Sequence, residues 1–337
     1  MVGAMRWVLA LLTVMSACKQ SEAPPPPPIT REQTLPEPVT PPPPRCQPGE
    51  RTCVQHELVQ CKADGSLGAT IESCKGACRE GACVDTCALQ DVELIYVIDD
   101  DANLFSFDPK KLPADPFHKI AQLSCDPSST VNSMAIDRFG IAWLGYHNGN
   151  VHRASIIDGR CAASVGAPSG APTTFGMGFV TDGPKATTEK LFVAGGSVDG
   201  KVDKLGTVDT SGSRAAWIPV ASLDRNAQHP ELTGTGEGRL FAYFPSPGRG
   251  FVQELDRTTA KPIGTKWVVR GLARHVSAYA FAHWGGVFYV FTTADGDSSV
   301  HAIHMKDGKQ ELVRDKLPNV IVGAGVSTCA PLLERAP

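Results

Sequence analysis

Four ionisable side chains occupy positions that a repeat would bring together. Asp137 and His283 each stand four residues before a strongly apolar run, Ile141–Tyr146 and Val287–Phe291. Asp182 and Glu237 fall near the same place in segments of their own. Gathered at one end of a channel, carboxylates and an imidazole make the donor set of a divalent metal site or a general base. The bland account is a set of hairpin turns. Asp137-Arg138-Phe139-Gly140 and His283-Trp284-Gly285-Gly286 carry the Asp and Gly that such turns select for backbone reasons.

Other chemistry is scarcer. No Gly-x-Ser-x-Gly elbow marks a nucleophile. The glycines of Gly234-Thr235-Gly236-Glu237-Gly238 precede no helical pattern, so they read as a β-turn and not as a phosphate cradle. Asp99-Asp100-Asp101-Ala102-Asn103 clusters oxygens of the kind calcium takes, yet it lacks the remaining ligands of a calcium loop. Asp and Asn are also what a tight hairpin there requires. No resident cofactor is therefore expected, with calcium or another divalent metal as the exception to test. His229 and His275 read as surface or turn residues, and His301 and His304 alternate along an outer strand.

The elements that must position these residues are strands. Glu93–Ile98, Ile141–Tyr146, Lys190–Ala194, Leu240–Phe244 and Val287–Phe291 are short runs rich in aromatic and β-branched types. No helical stripe is sustained outside the first residues, so the region is all-β. One hairpin before the strong strands lie small-residue runs beginning at 131, 175, 231 and 277, and a fifth begins at 321. Their separations of 44, 56, 46 and 44 residues match a four-stranded propeller blade. The fifth run has no strand after it, while residues 92–125 supply outer strands with no inner one. Joining the two ends closes a five-bladed β-propeller over residues 88–337.

The text AIDRFGIAWLGYHNGNVHRASI, residues 135–156, resembles propeller blades in general. That resemblance implies a rigid scaffold with its variable loops on one face, and hence a ligand- or protein-binding module. In lactonase-like and lyase-like propellers the channel mouth holds a metal or base. The enzymatic alternative is accordingly a metal-assisted hydrolase or lyase using Asp137, Asp182, Glu237 and His283. Trp143, Trp217, Trp267 and Trp284 follow the repeat and read as packing between blades.

Seven of the 11 cysteines lie between Cys46 and Cys87. About 40 residues cannot build an adequate core, so residues 46–87 read as a small module in which cross-links replace burial. The segment is similar to a short Cys-rich module of exported myxobacterial proteins. Closure of the ring brings Cys329 to the chain entry near Cys87, giving a Cys87–Cys329 disulfide, and Cys125 pairs with Cys161 from the next blade. Cys46, Cys53, Cys61, Cys74, Cys78 and Cys83 remain to pair among themselves, in an order that spacing leaves open.

Such pairing needs an oxidising compartment, and the N-terminus supplies the route. Arg6 precedes the apolar Trp7–Met15, whose nine residues span about 14 Å as a helix, too short to cross a bilayer. Met15-Ser16-Ala17-Cys18 resembles the lipobox of bacterial lipoproteins, with Met where Leu is usual. The resemblance implies that residues 1–17 are a signal peptide and that a lipid on Cys18 holds the chain to the membrane. By the same resemblance, Lys19 in place of the Asp that marks inner-membrane retention implies the outer membrane. Residues 18–45 carry 11 prolines and read as an extended stalk of about 80 Å. A net charge of −3 gives no field that would draw nucleic acid. The expected partners are the membrane and an unknown protein or glycan ligand, and the expected state is a monomer.

Overall fold

Each strong run becomes a strand because apolar side chains leave it on both sides and turn residues bound it. The computed structural model describes residues 46–333, apart from 55–56, 75–76, 80, 85–86, 88–90, 185, 197–202, 210–214 and 224–228. The signal segment, Cys18 and the proline stretch lie outside the described residues, as does the middle of Gly195–Lys204.

The Cys-rich module contains β1 (Arg51–Val54), β2 (Glu57–Cys61), β3 (Leu67–Ser73), β4 (Ala77–Arg79) and β5 (Ala82–Val84). The first three form one small sheet and the last two another. Three disulfides hold it: Cys46–Cys61, Cys53–Cys78 and Cys74–Cys83.

After it come five four-stranded antiparallel sheets. The chain enters through β6 (Ile95–Asp99), β7 (Asn103–Phe107) and β8 (Phe117–Gln122). A second sheet is β9 (Val131–Ile136), β10 (Ile141–Tyr146), β11 (Val151–Ser155) and β12 (Cys161–Gly166). A third is β13 (Thr174–Thr181), β14 (Glu189–Gly196), β15 (Asp203–Asp209) and β16 (Ala216–Leu223). A fourth is β17 (Glu231–Gly234), β18 (Leu240–Ser246), β19 (Arg249–Leu255) and β20 (Pro262–Arg270). The fifth is β21 (Ala278–Trp284), β22 (Val287–Ala294), β23 (Asp297–His304) and β24 (Gln310–Leu317). The last strand, β25 (Ile321–Val326), returns to pair with β6, with Val326 opposite Ile95 and Ala324 opposite Val97. The C-terminal strand thereby completes the N-terminal sheet.

β9, β13, β17, β21 and β25 are the first strands of their sheets, and each touches the next in a closed cycle. The arrangement is propeller-like. Small residues occupy this ring for a steric reason. A Cβ on Gly176 would stand 2.2 Å from the Pro230 carbonyl oxygen, and one on Gly234 would stand 2.1 Å from that of Phe179. Only glycine lets neighbouring inner strands approach so closely.

The described buried hydrophobics fall into clusters, one between each pair of adjacent sheets. Alternation along a single strand feeds two of them. In β6, Ile95 and Val97 pack toward the β21–β24 sheet, while Tyr96 and Ile98 pack toward the β9–β12 sheet. A strand covered on both faces reads in sequence as a continuous apolar run. Two further disulfides bind the sheets. Cys125–Cys161 joins the first two, and Cys87–Cys329 fastens the chain entry to the residues just after β25.

Candidate functional site

The inner strands run side by side, so the channel has two ends of different composition. Asp137, Asp182, Glu237 and His283 belong at or just beyond the C-terminal ends of β9, β13, β17 and β21. Each is held by its own turn or packing. Asp137 accepts from the backbone N–H of Phe139 and Ile141 at 2.9 Å each and from Trp143 Nε1 at 2.8 Å. Burial pushes its carboxyl up to about 6 despite these donors. Asp182 accepts from Thr188 Oγ1 at 2.6 Å and pairs with Lys190 Nζ at 3.1 Å, and the Thr188 bond heads the causes that hold it below the ordinary carboxyl range. Glu237 donates its N–H to Thr235 Oγ1 within the following turn. His283 stacks on Phe241 and meets Phe288 edge-on, and burial drives its imidazole down to about 4. The four therefore sit in separate settings, and among the described residues no three His, Cys, Asp or Glu gather as a metal-holding set. The Asp99 carboxylate of the acidic run is likewise engaged, accepting from Asn103 N and from the side-chain amides of Asn103 and Asn319.

What this end does build is a clamp. Glu189 accepts from Arg138 N at 2.7 Å and from Thr328 Oγ1 at 2.6 Å. It thus joins the β9–β10 turn to the residues after β25. Arg138 also donates to the Ala186 carbonyl and reaches Cys87 Sγ of the Cys87–Cys329 bridge at 3.4 Å. Burial, and then the nearby Asp137, raise the Glu189 carboxyl to about 7.

The N-terminal ends of the inner strands instead surround a cavity of about 120 Å³. Asn132, Phe175, His229, Glu231, Ser277 and Tyr279 are among the residues that line it, with His147 at the rim. Glu231 is only 4% exposed. Its carboxylate accepts from Ser133 Oγ at 2.9 Å. Ser133 lies on β9 and Glu231 on β17, which are separated in the ring by β13, so this bond crosses the channel. Burial pushes the Glu231 carboxyl well above its ordinary value.

Sequence reading passed over Glu231 and Ser133 because each is one polar residue in a run otherwise chosen for small size. The available signal was a charged residue opening an innermost strand. His229, read as a turn residue, proves to line this mouth. Trp143, Trp267 and Trp284 are buried between sheets, as their spacing implied.

No protein-family model matches the sequence, and no curated protein matches it. Among solved structures, a chain of a nidogen–laminin complex aligns over 69% of this chain and 97% of its own length, with 13% identity and a TM-score of 0.43. The WD40 domain of Pan2 from Neurospora crassa aligns over 67% of this chain and 62% of its own, with 13% identity and a TM-score of 0.36. An exo-β-1,3-galactanase from Phanerochaete chrysosporium aligns over 59% and 53%, with 9% identity and a TM-score of 0.41. Likenesses this distant assign no function to the chain.

Proposed function

We propose that the chain is a lipid-anchored envelope protein whose five sheets are the blades of a five-bladed propeller, and that it binds a ligand at the Glu231 mouth of the channel. The observation that carries the reading is the cavity itself: a buried carboxylate, bridged across the ring by Ser133, opens into a space lined by polar and aromatic side chains. A rigid ring that presents a recess at one end is suited to recognition, because the scaffold is already ordered before the ligand arrives. The disulfides support export. The sequence around Cys18 supports the anchor, and the proline stretch then serves as a spacer from the membrane. The ligand is a protein or glycan group small enough to enter the mouth, and the chain works as a monomer at the outer membrane. The binding reading is preferred to a metal-assisted hydrolase or lyase on Asp137, Asp182, Glu237 and His283, because Asp137, Asp182 and His283 are each engaged by neighbours of their own.

Two measurements test this. Radioactive fatty acid should label the wild-type chain in cells, and Cys18→Ser should abolish the label. A photoreactive residue placed at Thr174 or Ser277, at the mouth, should crosslink to envelope material. The same residue placed at Leu312, on outer strand β24, should not. Equal crosslinking at the two places, or none at the mouth, would refute the binding role.

A further inference from the structure

Several side chains of the mouth place acceptors beside the buried Glu231 carboxyl. Asn132 donates through Nδ2 to the Phe175 carbonyl at 3.0 Å, which leaves Oδ1 as an acceptor. Ser277 donates its hydroxyl hydrogen to the Thr293 carbonyl at 3.2 Å, so its oxygen can only accept. The Tyr279 hydroxyl hydrogen goes to the His229 carbonyl at 2.7 Å. At the floor lies the Glu231 carboxylate, whose hydrogen-bond donor is the neutral Ser133 hydroxyl. Among the described residues no Lys or Arg lines the cavity. His147 and His229 are its titratable neighbours.

An ammonium group has three donors and no acceptor, which complements such a set. Aromatic faces at Phe175 and Tyr279 add the surface on which a cation and its methylene stem rest. A buried carboxylate without a counter-ion is costly, and a cation brought by the ligand removes that cost. The volume of about 120 Å³ admits the end of an aliphatic amine but not a large ring system. We propose that the Glu231 mouth is a binding site for a primary alkylammonium group, with Glu231 as counter-ion and Asn132 and Ser277 as acceptors. This rests on the binding role assigned above to the same mouth. The group has two sources, a free diamine or a lysine side chain of a partner protein.

The test is calorimetric titration of the purified full chain at pH 8, where an ordinary imidazole is neutral. The probes are 1,5-diaminopentane, Nα-acetyl-lysine methylamide and, as the uncharged isostere, 1,5-pentanediol. Diaminopentane should bind and pentanediol should not. Because burial favours the protonated Glu231 carboxyl, ammonium binding should release protons, read as an enthalpy that differs between phosphate and Tris buffers. That readout needs no variant. Glu231→Gln should weaken diaminopentane about tenfold or more, and Ser277→Ala by less. Binding of diaminopentane alone identifies a free amine as the ligand. Binding of acetyl-lysine methylamide as well identifies a lysine of a partner. Equal binding of diol and diamine, a buffer-independent enthalpy, or unchanged affinity in Glu231→Gln would overturn the ammonium assignment. Silence of all three probes would overturn it too, while crosslinking confined to the mouth would still leave the binding role standing. Loss of that crosslinking would remove both.

Discussion

The two ends of the channel place a buried glutamate in opposite circumstances. Glu189 accepts from two distant parts of the chain, the β9–β10 turn and the residues after β25. Its bonds hold the ring shut beside the Cys87–Cys329 bridge. Glu231 has one neutral donor and faces a cavity. The first carboxyl is engaged by its own protein, and the second opens onto the mouth to which binding is assigned above. At the clamped end Asp137 and Asp182 are held by donors of their own turns and strands.

The contrast is broken or sharpened by four changes of decreasing size. Cys329→Ser opens a cross-link with a sequence separation of 242 residues. Chain entropy sets its contribution at about 5 kcal/mol at most, so the melting temperature should drop by about 10 °C. A shift within about 2 °C would mean that the Glu189 bonds hold the clamp by themselves.

Glu189→Ala removes the acceptor of Arg138 N and Thr328 Oγ1 and strands both donors, a loss of about 3 kcal/mol in denaturant unfolding. At the other mouth Glu231→Gln should change stability by less than about 1 kcal/mol at pH 7, since the amide oxygen still accepts from Ser133 and no charge is buried. Equal losses at the two mouths would erase the distinction drawn between them.

The pH dependence has a defined sign. Glu189, raised to about 7, and Glu231, raised well above its ordinary value, hold protons more tightly when folded than when unfolded. Their contribution is present at low pH and is lost as pH rises through those values. His283, lowered to about 4, acts in the opposite direction, but only below its ordinary value of 6.5. Between pH 6.5 and about 7 the Glu189 carboxyl is still ionising and Glu231 acts in the same direction, so the melting temperature should fall as pH rises through that window. Glu231→Gln should flatten that slope. A melting temperature that climbs over the same range would contradict the burial of both groups.

A further small change is Ser133→Ala, which deletes the bond across the channel for about 1 kcal/mol. It should also raise the pH at which Glu231 titrates, observable by following its carboxyl carbon in NMR, because a donor to the charged form is gone.

Much of the architecture was legible. Apolar runs covered on both faces, such as Ile141–Tyr146, announce strands sandwiched between sheets. Runs such as Ile321–Val326 announce an inner strand, because only small residues fit where strands crowd. Both signals are local and periodic, so a single chain displays them. The candidate site was not legible in the same way. Asp137 carries the residue type that chemistry uses, but its environment is set by Trp143 and the β9–β10 turn. Glu189 was not singled out, although it ties the ring's closure.

The sequence by itself determined the strand content, the repeat of about 45 residues, the orphan strand at the C-terminus and a cysteine-dense module that cross-links must hold. Residue type and period are enough for these, since burial acts on each strand separately. Only the tertiary structure decided which polar residues meet. Ser133 and Glu231 are 98 residues apart and reach each other because the ring brings two non-adjacent inner strands across a narrow channel. Glu189 and Thr328, 139 residues apart, meet because the last strand returns to the first sheet. Such contacts depend on how the sheets close around the axis, a global condition that no local pattern encodes.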